Sequence, residues 1–276
     1  MTLAVRNTVF LAGIIVGTAL LVVFSIAGYT LLFGPYQEMS LTLPTVHGLA
    51  FLSWELSEQA VVGSLVAVGV TSLLSLAAAG VSARIFRRLS SPEVYFVTLF
   101  LMTLPVETLR IAHLYFQAVE VPPFYGILVT RIVILARLMG GLALFTSGVY
   151  NAGADYPRVG TVSVLLFLMA LVVVYLIPVD FERVLPTMLN ATGFHGAIWA
   201  LILFLSSGAI ANYAIGWRRG YAEHGGAVFF SILSLAVGWV ALTSLPGLVT
   251  GGIATALVPT GAAIFIATNR SYYLWY

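Results

Sequence analysis

Cysteine and lysine are both absent from this chain of 276 residues, and charged residues of either sign are few. Without cysteine there is no thiol nucleophile, no thiolate-bound metal and no disulfide. Without lysine no Schiff base can form with retinal, which excludes a rhodopsin. Only 8% of the residues are charged, against about 25% in an ordinary soluble domain. With a mean hydropathy of +1.05, the composition predicts an all-α, multi-pass integral protein of the cell membrane.

The remaining charge and motif content excludes further classes of function. A net charge of +2 is too small and too scattered to indicate a nucleic-acid partner. The chain has no GxSxG nucleophile elbow, no phosphate-binding glycine loop and no HExxH zinc motif. Glu107 is the only acid expected near the middle of the membrane, whereas intramembrane hydrolases need paired acids or a Ser/His set. We therefore do not expect an enzyme.

Eight apolar runs are long enough to cross a bilayer. The first is longer than the core of a signal peptide, so we interpret it as a retained span. A glycine-rich stretch around 246–252 is all that separates the last two runs, so a bundle of seven helices is the alternative to eight. The predicted spans are 9–33, 59–83, 93–116, 125–150, 159–178, 193–217, 227–246 and 252–268.

The positions of the arginines predict the orientation of the chain. Arginines fall on alternate connections, and only Arg183 lies on the other side. Because short cytoplasmic loops collect Lys and Arg, both termini are predicted to be cytoplasmic, which requires an even number of spans and favours eight. We expect residues 1–276 to form a single polytopic transmembrane domain.

A limited internal similarity suggests a four-plus-four repeat. Leu-Pro-Thr occurs at 43–45 and again at 185–187, each time before a His-Gly pair and a span that leads to a double arginine. Leu-Pro also occurs at 104–105 and 245–246. Such a repeat would relate the two halves by an axis along the membrane normal, as in some transporters. The spacings differ between the copies, so chance recurrence is the alternative.

Three arginines, Arg110, Arg131 and Arg137, lie inside predicted spans, with Glu107 as the only carboxylate at similar depth. A charge at the centre of a bilayer costs at least about 2.5 to 3.5 kcal/mol, so it normally faces a partner, a cavity or a ligand. We expect Glu107 to pair with Arg131 or Arg110. Pro105 removes a backbone donor, and the carbonyl that this frees could accept a hydrogen bond from an arginine.

The surplus positive charge has two interpretations. In the structural one, Arg110 extends outward to the interface, Arg131 pairs with Glu107, and Arg137 donates to backbone carbonyls, tyrosines or Asn212. In the functional one, Arg131 and Arg137 form an outward-opening pocket for an anionic group, since a guanidinium suits carboxylate or phosphate. The candidate ligand-binding residues are Glu107, Arg110, His113, Arg131 and Arg137.

Three histidines, His47, His113 and His195, are expected near the outer ends of spans. Together they could ligate a metal, or two of them could hold a haem. No metal or haem motif accompanies them. We therefore predict no cofactor and expect local hydrogen bonding, with His113 as a pH-sensitive neighbour of Glu107 and Arg110.

Three functions fit these observations. The first is a receptor-like sensor that binds a small anionic or lipidic ligand at an outer charged cavity. Because the chain stops shortly after the last span, its output would depend on a membrane or cytoplasmic partner protein. The second is a small transporter of an organic anion or a proton-coupled solute, using Glu107 and His113. The third is a structural subunit of a membrane complex, with Arg137 contacting another protein.

Overall fold

The computed structural model describes residues 2–33, 58–87, 91–119, 121–154, 158–185, 187–220, 225–244 and 247–274. Eight helices in these ranges are long and apolar enough to cross a membrane, which confirms the all-helical bundle and selects eight spans over seven. The seventh and eighth spans are separate helices on either side of residues 245 and 246. An even number of spans places the first and last helices with their free ends on the same side.

The helices match the apolar runs, although their ends differ from the predicted limits. The helices of the first and eighth spans are longer than predicted, whereas those of the fifth and seventh spans end earlier and that of the sixth begins later. The third span is the exception, because a 3-10 segment at Leu104–Thr108 divides it into two α-helices. The elements are α1 (Leu3–Phe33), α2 (Glu58–Ile85), α3 (Pro92–Thr103), α4 (Leu109–Ala118), α5 (Pro123–Asn151), α6 (Val159–Leu176), β1 (Val179–Val184), β2 (Asn190–Thr192), α7 (His195–Arg218), α8 (Gly225–Thr243) and α9 (Leu248–Leu274).

The two ends of the bundle differ in character. Strands β1 and β2 form an antiparallel hairpin between α6 and α7, and we call this end the hairpin side. We call the opposite end, where most of the described arginines near helix ends lie, the arginine-rich side; it is the predicted cytoplasmic side. Two of these arginines close helix C-termini: Arg6 donates to the carbonyls of Phe86 and Arg87, and Arg219 donates to that of Ala152.

Six of the eight spans pack in a closed sequence. The third span lies between α2 and α5, α5 packs on α7, and α7, α8 and α9 follow in turn, with α9 returning to α2. The other two spans, α1 and α6, are the least buried. On the repeat hypothesis α1 and α6 should have equivalent neighbours, but α1 packs on α2 and the third span whereas α6 packs on α5. This difference does not support the four-plus-four repeat, which stays a prediction.

The helices α8 and α9 approach each other closely through glycines on both. A Cβ atom at Gly238 would lie 2.8 Å from Cγ2 and 3.0 Å from the backbone nitrogen of Val258. At Gly261 it would lie 2.7 Å from the carbonyl oxygen of Ser231 and 3.0 Å from the backbone nitrogen of Leu235. Small residues at these positions let the two backbones touch, as in other membrane helix pairs.

Replacing Gly261 with alanine should therefore destabilise the protein. The added methyl group meets backbone atoms that cannot rotate away, and overpacking of this kind costs about 1 to 3 kcal/mol. Gly252→Ala, on the same helix, is the matched control because a Cβ atom added there would have nothing within 4 Å. We expect thermal unfolding in detergent to show a lower Tm for Gly261→Ala only, and equal Tm values for the two variants would contradict the close contact.

Candidate functional site

The break in the third span follows from a proline and is repaired by hydroxyl groups. Pro105 has no N–H to donate to the preceding turn, and the chain tightens into the 3-10 segment at this point. Ser72 of α2 donates to the carbonyl of Leu104 at 3.3 Å, and Thr108 donates to that of Pro105 at 2.6 Å. The segment is thereby held in an apolar surrounding, with Glu107 on it.

Glu107 is shared by two arginines from different spans. Its Oε2 atom accepts from Nε of Arg110 at 2.7 Å, three residues along the same span, and also forms an ion pair with Nη2 of Arg110. Arg137 of α5 approaches from the other side: its Nε donates to Oε1 at 2.7 Å and its Nη2 to Oε2 at 3.0 Å. We call Glu107, Arg110 and Arg137 the charged cluster.

The charged cluster is buried and carries a surplus of positive charge. Glu107 and Arg110 are each 2% exposed and Arg137 is 7% exposed. One carboxylate faces two guanidinium groups, and no second carboxylate pairs with either arginine in the part of the chain that the structure describes. Each guanidinium has five N–H donors. The described contacts of both arginines use Nε and Nη2, which leaves their Nη1 donors for another acceptor.

Arg110 also ties the charged cluster to α8. Its Nη2 atom donates to the carbonyl oxygen of Leu242 at 3.0 Å, in the last turn of that helix. In a continued helix this carbonyl would accept from residue 246, but Pro246 has no N–H. The guanidinium supplies the missing donor, and its positive charge lies where the helix dipole is negative.

Two parts of the structural interpretation are wrong. Arg110 does not extend outward, because its side chain is fully buried between Glu107 and α8. Arg137, not Arg131, pairs with Glu107 across the two spans. The expected contact of Arg137 with Asn212 is not among its described hydrogen bonds, which go to Glu107. The freed carbonyl that accepts from an arginine belongs to Leu242, not to the turn before Pro105.

Arg131 lies apart from the charged cluster. Its side chain is partly exposed on α5, and its Nε atom is buried without a hydrogen-bond partner among the described residues. Six residues separate it from Arg137, which is about 9 Å along the helix and about 240° around it. The two arginines therefore project in different directions. The described residues therefore do not form the expected pocket between Arg131 and Arg137.

His113 is buried, 1% exposed, and belongs to a second polar group on the hairpin side. Its Nε2 atom lies 3.0 Å from Oδ1 of Asn190, at the start of β2, and its Nδ1 atom has no described partner. The backbone N–H of Asn190 donates to Oγ1 of Thr130 on α5 at 3.1 Å. His113 thus fixes the hairpin and does not contact Glu107 or Arg110 by any described hydrogen bond.

The other histidines do not join His113. His195 is exposed at the start of α7, with its ring 6.4 Å from that of Trp199, and His47 lies outside the described residues. Among the residues that the structure describes, no group of three His, Asp or Glu side chains could hold a metal ion.

Sequence reasoning missed three participants, for two different reasons. Leu242 could have been found, because a proline four residues after an apolar span residue always frees that carbonyl. Asn190 and Thr130 gave no local signal, since a single amide and a single hydroxyl are common in any chain. Their role arises only when the hairpin folds back on the third span and α5.

Replacing Glu107 with glutamine should destabilise the bundle more than replacing Arg137 with glutamine. The first change leaves two buried guanidinium groups without a counter-charge, and removing one partner of a buried ion pair costs about 3 to 5 kcal/mol. The second leaves Glu107 and Arg110 as a neutral pair. The measurement is chemical unfolding in detergent. Glu93→Gln is the control, because Asn151, at 3.4 Å, is the described side-chain partner of that carboxylate. The reverse order of stability would contradict the pairing.

Comparison with known proteins adds no family to this site. No protein-family model matches the chain, and no curated protein matches it by sequence. The charged cluster, the Arg110 bond to α8 and the hairpin are therefore the observations from which a function must be argued.

Proposed function

We propose that this membrane protein is a receptor-like sensor that binds a small anionic ligand at the charged cluster. The observation that carries the proposal is the sharing of one buried carboxylate between two arginines whose Nη1 atoms make no hydrogen bond to the described residues. A buried guanidinium without full compensation is costly in an apolar medium, and an anion that accepts from it restores balance. Carboxylate, phosphate and halide ions all have this chemistry.

Binding at this point would act on several spans at once. An anion that accepts from Arg137 or Arg110 competes with Glu107 for their donors, so it alters the contact between the third span and α5. Arg110 also holds the last turn of α8 through Leu242. The 3-10 segment that carries Glu107 is a mid-span irregularity of the kind that often marks a hinge. Ligand binding could thus change the relative positions of three helices, which a partner protein would read.

A layer of large apolar side chains on the arginine-rich side of the charged cluster favours sensing over transport. Phe100 of α3 and Leu144 of α5 are fully buried about two helical turns from Glu107 and Arg137. Trp239 of α8 packs edge-on against Phe100 with ring centroids 5.8 Å apart. An anion crossing this layer would lose all its polar contacts, which is expensive.

A small anion transporter is the second candidate, and one observation favours it. The third span is discontinuous at the charged cluster, and broken helices surround the substrate sites of many transporters. On this hypothesis Phe100 and Trp239 separate during the transport cycle. The third candidate, a structural subunit of a membrane complex, rests on the same buried arginines. The experiment below distinguishes it from the sensor and the transporter.

Arg137→Gln should weaken anion binding at least about tenfold, because a charge-assisted hydrogen bond contributes roughly 1.5 to 3 kcal/mol. The measurement is equilibrium binding of radiolabelled formate, chloride and phosphate to the purified protein in nanodiscs. Arg183→Gln is the matched control, since Arg183 is exposed on β1. Equal affinities of the two variants would count against the charged cluster as the site.

The same preparations separate the alternatives. Saturable binding without uptake into proteoliposomes supports the sensor, and anion-dependent uptake supports the transporter. The structural subunit would instead be supported by two results together. The protein would show neither binding nor uptake, and a partner protein would co-purify with the wild type but not with Arg137→Gln.

A further inference from the structure

The tip of the β-hairpin, residues 187–190, is more deeply buried than the strand that leads to it. Met188 and Leu189 are each 3% exposed and Asn190 is 4% exposed, whereas Phe181 on β1 is 55% exposed. The tip therefore points into the helix bundle and not into solvent. A loop that enters a membrane domain in this way must satisfy its polar groups against protein, and Asn190 does so.

The tip lies between the charged cluster and the hairpin side. Leu189 belongs to the same buried apolar cluster as Val133, which is one helical turn from Arg137 towards the hairpin side. Val106 and Leu109, the immediate sequence neighbours of the charged residues on the third span, pack against this cluster. Leu189 thus lies in the apolar cluster that adjoins the charged cluster on the hairpin side.

Polar contacts hold the tip in place against a strained backbone. The Asn190 side chain bonds to His113 and its backbone N–H to Thr130. Met188 has a φ of 61°, in the left-handed region that is unfavourable for residues with a side chain. A segment held by a few hydrogen bonds while it stores backbone strain is suited to open and close.

We propose that residues 187–190 are the gate of the anion site, and that they move out to admit a small, singly charged anion and close above it. The proposal rests on the proposed function. The ligand is small because, with the tip in place, little of the charged cluster is exposed. It is singly charged because two arginines and one carboxylate leave a surplus of one positive charge. It enters from the hairpin side because Phe100, Leu144 and Trp239 close the other.

The absence of native cysteine allows the gate to be tested by thiol labelling. Leu189→Cys places a thiol on the tip itself, at a position that is buried while the tip is closed. Its rate of reaction with a water-soluble maleimide in nanodiscs measures opening. Asn190→Ala removes the side-chain hydrogen bond to His113. Thr130→Val removes the acceptor of the Asn190 N–H, together with the bond that Thr130 donates to the carbonyl of Gly126 within α5. Each variant loses one hydrogen bond to the tip, so each should raise this rate roughly three- to tenfold. Combining them should raise it further. Unchanged rates in all three backgrounds would overturn the gate.

Two control positions separate opening from unfolding. Phe181→Cys is exposed on β1 and should react fast in every background. Ala143→Cys, fully buried in α5, should stay unreactive unless the bundle unfolds. If Ala143→Cys also becomes reactive, the hydrogen-bond variants have unfolded the bundle and do not test the gate. The test is then made with Leu189→Cys as the only substitution. Saturating formate or chloride should slow its labelling by closing the tip over the anion.

The outcomes distinguish the two proposals. If formate and chloride bind but neither slows labelling of Leu189→Cys, the gate is wrong while the anion site stands. If no anion binds the wild type but Asn190→Ala and Thr130→Val still accelerate labelling, the tip opens and the proposed function fails. In that case the tip would still move, but it would not be the gate of an anion site.

Discussion

The sharing of Glu107 between Arg110 and Arg137 is the interaction on which the interior of this protein depends. It joins the 3-10 segment to α5, and through Arg110 it reaches the end of α8. No lipid or water can replace these bonds in the middle of the bundle, so the two guanidinium groups are stable there only while Glu107 is present. The 3-10 segment at Pro105 sets the direction in which the Glu107 side chain points, and hence the arrangement of three helices.

This dependence separates structural from functional roles for the arginines. A purely structural cluster would be best served by equal numbers of acids and bases, since an unpaired buried charge costs more than a polar contact gains. The described residues instead place two bases on one acid at 2% exposure. Retaining the second guanidinium destabilises the empty protein, and an anionic ligand would offset that cost. This is why we interpret the surplus as a binding property.

The span count could be predicted because apolar length is a local property of the sequence, whereas the pairing within the site could not. Choosing between Arg131 and Arg137 required the rotation of α5 relative to a broken third span. One part of this choice could nevertheless have been predicted from the sequence. Six helical residues turn about 240°, so Arg131 and Arg137 could not face one pocket without a bend in the helix. Asn190 was inaccessible in principle, because its contacts depend on a hairpin that closes back onto the third span and α5.

Pro105, within the third span, and Pro246, which follows α8 in the sequence, show how the site divides its charge. The break at Pro105 is repaired nearby by Ser72 and a tighter turn, so no arginine is needed there. The carbonyl freed before Pro246 lies in the last turn of α8, where the aligned peptide dipoles act as roughly half a negative charge. Arg110 is therefore compensated twice, by Glu107 and by this helix end. Arg137 depends on Glu107 alone among its described partners, and for that reason the proposed anion would bind on the α5 side of the charged cluster, near Leu189.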